Sequence, residues 1–231
     1  MIGIDKFKEY FTDYKEEYVI IGGDACELLM QEVERPFRAT KDIDIVLIVD
    51  SLTKEFALKF WEFIQDAGYE NINKATGDKQ FYRFSHPMSA EYPLMIELFS
   101  KKSEWMPSEL ETRYTPIFID ESVSSLSAIL LNDEYYDFLK NSIINIDGLS
   151  VLKADCIIPF KVKAWIDLIQ RKNSGQQVDG TNIKKHKNDV FRLSVLLTPN
   201  KNIVLPKAIK KDMSFFLEEM EKEDINLLQL D

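Results

Sequence analysis

A pair of adjacent glycines, Gly22 and Gly23, constrains this chain more than any other sequence feature. The residues just before it, 18–21, are apolar and predict a short buried strand. Glycine turns the chain tightly and lets a ligand approach the backbone, because it has no side chain. Asp24 follows as the predicted N-cap of a helix that extends to about Glu34. The segment therefore predicts a strand, a tight turn and a helix.

A second apolar run, residues 42–49, begins with two carboxylates, Asp42 and Asp44. Successive side chains of a strand point to opposite faces, so these two point the same way and Ile43 and Ile45 point the other way. Neighbouring carboxylates repel each other unless a cation lies between them. Mg²⁺ held by a few carboxylates usually also binds the phosphates of a nucleotide. The pattern therefore favours a magnesium-dependent nucleotidyl-transfer site with one or two metal ions.

A third acidic ligand is expected on a neighbouring strand, and Glu97 is the candidate. It is the charged residue of the apolar run 94–99, where an ionised carboxylate without a partner is costly. Metal-assisted phosphoryl-type transfer requires bridged phosphates and an oriented nucleophile, and Glu97 would complete the metal site or serve as the base. The alternative is a structural salt bridge from Glu97 to Arg38 or Arg83.

The pattern of the whole chain predicts an α+β protein, a mixed β-sheet with helices followed by a C-terminal helical region. We divide it into an α/β domain, 1–152, and a helical domain, 153–231. Strands are also predicted over 80–85, 94–99 and 143–152, with strand-like content over 117–119 and 125–131, turns at 132–133 and 147–148, and a loop over 101–116. Helices are also predicted over 4–17, 53–68, 154–172, 181–197 and 206–223.

Composition narrows the cellular setting. No apolar run reaches the roughly 18 residues that a membrane span requires, and no export signal is recognisable, so we expect a cytoplasmic protein. Cys26 and Cys156 lie in apolar segments without a partner motif and are expected to be buried, reduced thiols.

The charge is distributed unevenly along the chain. A net charge of −10 argues against a broad, non-specific nucleic-acid binder. Residues 151–192, however, contain nine Lys or Arg and four Asp. This basic segment either forms a local groove for phosphates or is the solvated face of two helices.

The glycine pair, the following helix and the run from Thr40 to Asp44 resemble the DNA polymerase β-like nucleotidyltransferase superfamily. Within it the chain looks most like the AbiEii/AbiGii group, toxin-type nucleotidyltransferases of phage-defence and toxin–antitoxin systems. The second half supports this assignment through Lys161, Lys163 and Ala164, then Arg171, and then a run around Asp189. Arg192 stands where the group has a second Asp, so that position's role is not carried over. Glu97 stands where many active members have Asp.

The resemblance implies a role for each matching residue. The backbone amides of Gly22 and Gly23, with Thr40, would bind nucleotide phosphates at a helix N-terminus. Asp42, Asp44 and Glu97 would be the catalytic and metal-binding carboxylates. The nucleotide-binding set is completed by Lys161, Lys163 and Asp189. For Lys161 the alternative is a surface lysine, and Asp189 could instead bind a lysine.

The expected function is the magnesium-dependent transfer of a nucleoside monophosphate from an NTP to an acceptor hydroxyl. If the chain is toxin-like, the acceptor would be an RNA such as tRNA, and a cognate antitoxin protein would be a partner. The alternative is a catalytically inactive protein of the same fold that binds a nucleotide or a protein partner.

Overall fold

A computed structural model of the chain describes residues 2–48, 50–70, 83–100 and 132–223. Within these ranges the residues up to 100, together with 143–152, form one compact unit, here called the sheet unit. Residues 132–142 and 153–223 form a second, here called the helical unit. Segment 132–142 therefore belongs to the helical unit, although it lies within the domain 1–152 inferred from sequence. The division into folding domains 1–152 and 153–231 stays a prediction.

The sheet unit contains a mixed six-stranded sheet in the order β3-β4-β2-β1-β6-β5. Its strands are β1 Tyr18–Ile21, β2 Asp42–Leu47, β3 Arg83–Ser85, β4 Met95–Ser100, β5 Ile143–Ile146 and β6 Leu149–Leu152. β2 runs antiparallel to β1 and parallel to β4, while β6 is parallel to β1. The outer pairs, β3 with β4 and β5 with β6, are antiparallel. The α+β prediction with a mixed sheet is confirmed.

Three helices belong to the sheet unit: α1 Ile4–Phe11, α2 Gly22–Gln31 and α3 Lys54–Ala67. The first turn of α3 is capped by Thr53, whose side chain accepts a hydrogen bond from the Phe56 amide. The helix ends at Gly68, which has a positive φ of 64°. Such a left-handed residue is a common helix terminator, and glycine adopts it without a steric penalty.

An aromatic core joins α3 to α1. One face of α3 is apolar and buried, and it comprises Phe56, Phe60, Phe63 and Ile64. Phe11 of α1 lies 5.3 Å from Phe63 and 5.7 Å from Phe56 between ring centroids. Aromatic pairs at such separations contribute about 0.5–1.5 kcal/mol each beyond the area they bury. This core therefore holds α1 and α3 together.

The helical unit comprises α4 Asp133–Lys140, α5 Ala154–Asn173, α6 Gly180–Ser194 and α7 Lys207–Met220. The long α5 packs against both α6 and α7, and α4 packs against α7. The helical C-terminal region expected from sequence is therefore present. None of the helices in the described ranges combines the length and apolarity needed to cross a membrane.

Several details of the predicted elements are wrong. Helix α1 ends at Phe11 instead of residue 17, and α2 starts at Gly22 with Ile21 as its N-cap instead of Asp24. The turn predicted at Asn132 and Asp133 is instead the start of a helix. The Asn132 side chain caps α4, which the sequence did not predict, by accepting a hydrogen bond from the Tyr135 amide. The predictions for 117–119, 125–131 and the loop 101–116 lie outside the described residues.

Both cysteines behave as expected. Cys26 and Cys156 are buried and not joined in a disulfide. Burial raises the pKa of the Cys156 thiol well above its usual range. A thiol held neutral in this way is a poor nucleophile, so Cys156 is a packing residue.

Candidate active site

The Asp44 carboxylate lies directly on the backbone of Gly22. A Cβ atom placed on Gly22 would be 2.8 Å from Asp44 Cγ and 3.0 Å from Asp44 Cβ, so any other residue would displace the Asp44 side chain. Gly22 also has a positive φ of 68°, which L-amino acids rarely adopt. Two independent constraints therefore require glycine here, and they bring the glycine turn and the second carboxylate of β2 into contact.

The register of the sheet places the three predicted carboxylates on one face. Asp44 and Glu97 are paired Cα partners of the parallel strands β2 and β4, and Asp42 precedes Asp44 by two positions. Opposed residues of paired strands share a face, as do residues i and i+2 of one strand. Ile43 and Ile45 are buried on the other face. The sequence-based expectation that Glu97 lies beside the aspartates is met in the backbone.

The Glu97 carboxylate is bound by Arg83, which is its Cα partner on β3. Arg83 Nε donates a hydrogen bond of 2.5 Å to Glu97 Oε1, and Arg83 Nη2 contacts the same oxygen. The Glu97 side chain is 17% exposed and that of Arg83 is 43% exposed. Of the two salt bridges considered from sequence, the one to Arg83 is present.

Two of the three predicted carboxylates are placed as Mg²⁺ ligands would be. In the described ranges no group of three or more His, Cys, Asp or Glu side chains is arranged to hold a metal ion. Mg²⁺, however, is commonly bound by one or two carboxylates together with substrate phosphates and waters. Asp42 and Asp44 provide such a pair on one strand face. Glu97 is bound to Arg83, and its role as the third metal ligand stays a prediction.

Asp24 forms a hydrogen-bonded cluster with Thr40 and Glu27. Thr40 Oγ1 contacts Asp24 Oδ1 and lies 3.0 Å from Glu27 Oε2, and the Thr40 amide donates to Glu27 Oε2 at 3.2 Å. Asp24 and Glu27 are three positions apart on α2 and thus share a helix face. The Thr40 hydroxyl, predicted to bind nucleotide, is therefore directed at the acidic residues of α2.

The Asp24 carboxyl is nearly inaccessible, with a relative exposure of 1%. Burial raises the pKa of Asp24 to about 7. The hydrogen bond from Thr40 acts in the opposite direction and lowers the pKa, but its effect is smaller. The negative charges of Glu27 and Asp42 raise the pKa further. Asp24 Oδ2 is buried without a hydrogen-bond partner among the described residues, which adds to the cost of ionisation. Asp24 is thus partly protonated near neutral pH.

Gly23 lies beside two side chains from the segment before β2. A Cβ atom on Gly23 would be 2.5 Å from Thr40 Cγ2 and 3.4 Å from Arg38 Nη2. Both glycines lie at the N-terminus of α2, where unpaired amides and the helix dipole favour anions. The Arg38 guanidinium adds a cation close to this turn. The turn is thus suited to a phosphate group.

The predicted residues Lys161 and Asp189 lie in the helical unit, where they bind each other. Lys161 Nζ on α5 is 2.9 Å from Asp189 Oδ2 on α6. Both side chains are buried, with 7% and 0% exposed. Arg192 Nη1, one turn along α6, lies 3.8 Å from Asp189 Oδ1. Asp189 therefore binds a lysine, one of the roles considered from sequence, and Lys161 is not a surface lysine.

Lys163 points away from Lys161. Residues two apart on a helix differ by about 200° in direction, because each residue turns the helix by about 100°. Lys163 Nζ is 3.0 Å from Asp212 Oδ2 of α7, and the buried Tyr135 hydroxyl donates to the same oxygen at 2.9 Å. The two lysines therefore contact different helices, and the structure does not bring them together.

The structure thus brings together the predicted residues of the sheet unit, whereas in the helical unit it pairs Lys161 with Asp189 and directs Lys163 to another helix. In the sheet unit the glycine turn lies against Asp44, and Glu97 is in register with Asp44. Asp24 and Glu27 contact Thr40, and Arg83 contacts Glu97, although the sequence gives these three no functional role. The i, i+3 spacing of Asp24 and Glu27 was the available signal.

Comparisons with known proteins identify no family. No family model matches the chain, and no curated protein matches it. A solved structure that resembles it is the solution structure of the antibiotic-resistance factor ANT(2'')-Ia, at 13% identity and a TM-score of 0.39. The alignment covers 95% of this chain and 95% of that chain. The evidence for the candidate site is therefore the geometry of its own residues.

Proposed function

We propose that this protein transfers a nucleoside monophosphate from an NTP to an acceptor hydroxyl and releases pyrophosphate. The observation that carries the proposal is the contact between the Asp44 carboxylate and Gly22 at the start of α2. It places a carboxylate pair, suited to a divalent cation, beside a helix N-terminus, suited to phosphates. A nucleoside triphosphate bound with a divalent cation needs both features next to each other.

In this proposal each residue of the sheet unit has a defined role. The amides of Gly22 and Gly23 bind phosphate oxygens, and Arg38 neutralises part of their charge. Asp42 and Asp44 would hold Mg²⁺, which would neutralise and orient the phosphates. The acceptor hydroxyl oxygen forms a bond to the α-phosphorus as the bond to the bridging pyrophosphate oxygen breaks, and the hydroxyl proton passes to solvent. Thr40 positions the start of α2 through Asp24 and Glu27.

We also propose membership of the DNA polymerase β-like nucleotidyltransferases and, more specifically, of the AbiEii/AbiGii group. The glycine turn and the Asp42–Asp44 pair support the first assignment. Lys161, Lys163 and Asp189 stay predicted nucleotide-binding residues, although each now forms an ion pair within the helical unit. A cytoplasmic location stays part of the proposal.

The test follows the fate of labelled phosphates. The purified protein is incubated with Mg²⁺, total RNA and each NTP, labelled at either the α- or the γ-phosphate. We expect the α-label to appear in RNA and the γ-label to appear only in pyrophosphate. Asp44→Asn should abolish transfer, because it removes a carboxylate charge without changing size, while Glu16→Gln on the exposed surface should not. Absence of transfer, or equal transfer by Asp44→Asn, would contradict the proposal for an RNA acceptor.

An RNA acceptor such as tRNA is supported by the basic segment 151–192. In the helical unit several of these cations, among them Lys172 and Lys184, are exposed. If the protein is a toxin, a cognate antitoxin would bind and silence it. Co-purification of a second protein from the native host, followed by loss of transfer on adding it back, would establish that partner.

A catalytically inactive protein that binds a nucleotide or a protein partner is the second candidate. It is favoured by the engagement of Glu97 with Arg83 and by the absence of a three-ligand metal group in the described ranges. Calorimetry with Mg²⁺ and each NTP separates the two. Binding with no turnover on any acceptor supports the inactive protein, whereas binding with label transfer supports the enzyme.

A further inference from the structure

Arg83 stands at the end of a row of residues that crosses three adjacent strands. Arg83 on β3 is paired with Glu97 on β4, and Glu97 is paired with Asp44 on β2. Paired residues on neighbouring strands share a face, so one cation and two carboxylates lie in sequence across the sheet. Asp42 lies on the same face of β2, two residues from Asp44.

The Arg83–Glu97 contact occupies one oxygen, Oε1, of the carboxylate that the sequence predicts as the third metal ligand. Two nitrogens of the guanidinium, Nε and Nη2, contact Glu97 Oε1. Charge-assisted contacts of a guanidinium to a carboxylate are among the stronger hydrogen bonds in proteins. The guanidinium also stays charged at every accessible pH, so Arg83 does not release Glu97 by losing a proton.

We infer that Arg83 takes the place of a second divalent cation, so that the proposed nucleotidyl-transfer site holds one metal ion, on Asp42 and Asp44. Before any phosphate is counted, three carboxylates carry a charge of about −3, which exceeds the charge of one divalent ion. The Arg83 cation reduces this to about −2, which a single divalent ion neutralises. Arg83 is in this sense a positioning residue that sets the metal content of the site. The inference depends on the proposed function, because it concerns the same site.

The test counts Mn²⁺ ions in complexes with a non-hydrolysable NTP analogue. The wild-type protein is expected to retain one Mn²⁺ per chain after gel filtration. Arg83→Gln frees Glu97 and should retain two, with the spin-coupled paramagnetic resonance spectrum of ions about 3.5–4 Å apart. The double variant Arg83→Gln/Glu97→Gln should return to one ion. Arg35→Gln, which removes the same charge from an exposed position, should stay at one.

The single variant Glu97→Gln provides a second test that does not depend on the folding of Arg83 variants. It should bind one Mn²⁺ with wild-type affinity, because Glu97 does not contact the metal. Circular dichroism melting curves verify that each variant is folded.

Three results would overturn the inference and leave the proposed function intact. The first is a wild-type protein that binds two ions, and the second is a folded Arg83→Gln variant that still binds one. The third is loss of Mn²⁺ from Glu97→Gln. A wild-type protein that binds no Mn²⁺ in the presence of the analogue would instead overturn the proposed function, and the inference with it.

Discussion

The Asp24 carboxyl lies buried in the first turn of α2, where ionisation is costly. Burial raises its pKa from 3.8 to about 7, so the folded chain holds the proton more tightly than the unfolded chain. A raised pKa contributes stability that is fully present below about pH 4 and is lost as the pH rises through about 7. The wild-type protein should therefore lose part of its stability over this range.

We expect Asp24→Asn to remove this pH dependence. Between pH 4 and pH 8 the free energy of unfolding of this variant should rise by about 4 kcal/mol relative to that of the wild type. This figure corresponds to a difference of about three units between the folded and unfolded pKa of Asp24. Urea unfolding at several pH values measures the difference. Glu16→Gln, an exposed acidic position, is the control. Parallel curves for Asp24→Asn and the wild type would show that the buried carboxyl is not the cause.

Gly22 offers a prediction with a control elsewhere in the chain. Gly22 and Gly175 both have a positive φ, of 68° and 85°, but no atom of the described residues lies within 4 Å of a Cβ placed on Gly175. Gly175→Ala should therefore cost only the backbone strain, about 1–2 kcal/mol. Gly22→Ala should cost more, because its methyl group also displaces the Asp44 carboxylate, and it should abolish NTP binding.

Denaturant unfolding and calorimetry with NTP and Mg²⁺ measure both effects. Equal costs for the two substitutions, or NTP binding retained by Gly22→Ala, would show that Gly22 and Asp44 are not in contact in solution.

At the scale of elements, the α5–α6 interface contains the buried Lys161–Asp189 pair. Removing one partner of a buried ion pair leaves an uncompensated charge, so Asp189→Ala should cost about 3–5 kcal/mol of stability. The double variant Lys161→Met/Asp189→Leu should recover most of this loss. Urea unfolding provides the measurement.

The Lys201–Asp155 pair is the matched control for this prediction. Its distance is 3.3 Å, but Lys201 is 55% exposed, so solvent screens the interaction. Lys201→Ala should cost less than about 1 kcal/mol. A similar cost for Asp189→Ala would mean that Lys161 and Asp189 are solvated.

The sequence predicts an element well when its capping residues and its apolar pattern agree with how the element packs. Thr53, the stripe of Phe56, Phe60 and Phe63, and Gly68 define α3 at its start, along its face and at its end. Helix α4 was missed because its aromatic residues, Tyr135 and Tyr136, favour strands, while packing against α7 favours a helix.

The sequence also predicts those parts of the candidate site that depend on local spacing, but not those that depend on strand register. Gly22, Gly23, Asp42 and Asp44 follow from local spacing, because strand alternation and a tight turn are local properties. The choice of Arg83 over Arg38 as the partner of Glu97 depends on strand register, which the sequence leaves open. The contact of Asp24 with Thr40 likewise connects segments that only the fold brings together.

At the scale of the whole molecule, nucleotide binding should stabilise the folded chain by mass action. An NTP with Mg²⁺ at about 100 times its Kd adds about 2.7 kcal/mol to the free energy of unfolding. For a chain of this size such a gain raises Tm by roughly 5–10 °C. Thermal melts with NTP and Mg²⁺, with NTP and a chelator, and with neither provide the measurement.

Asp44→Asn should show no such shift, because it weakens the metal site. A shift that persists in this variant, or in the presence of the chelator, would indicate that nucleotide binds elsewhere or without a divalent ion.

The pairing of β1 with β6 joins Ile20 to Val151, which lie far apart along the chain. As the protein emerges from the ribosome, β1 has an unsatisfied edge until the β5–β6 hairpin leaves the exit tunnel. The sheet is therefore completed late in translation, and a nascent chain stalled before residue 152 exposes an open strand edge to chaperones or to aggregation.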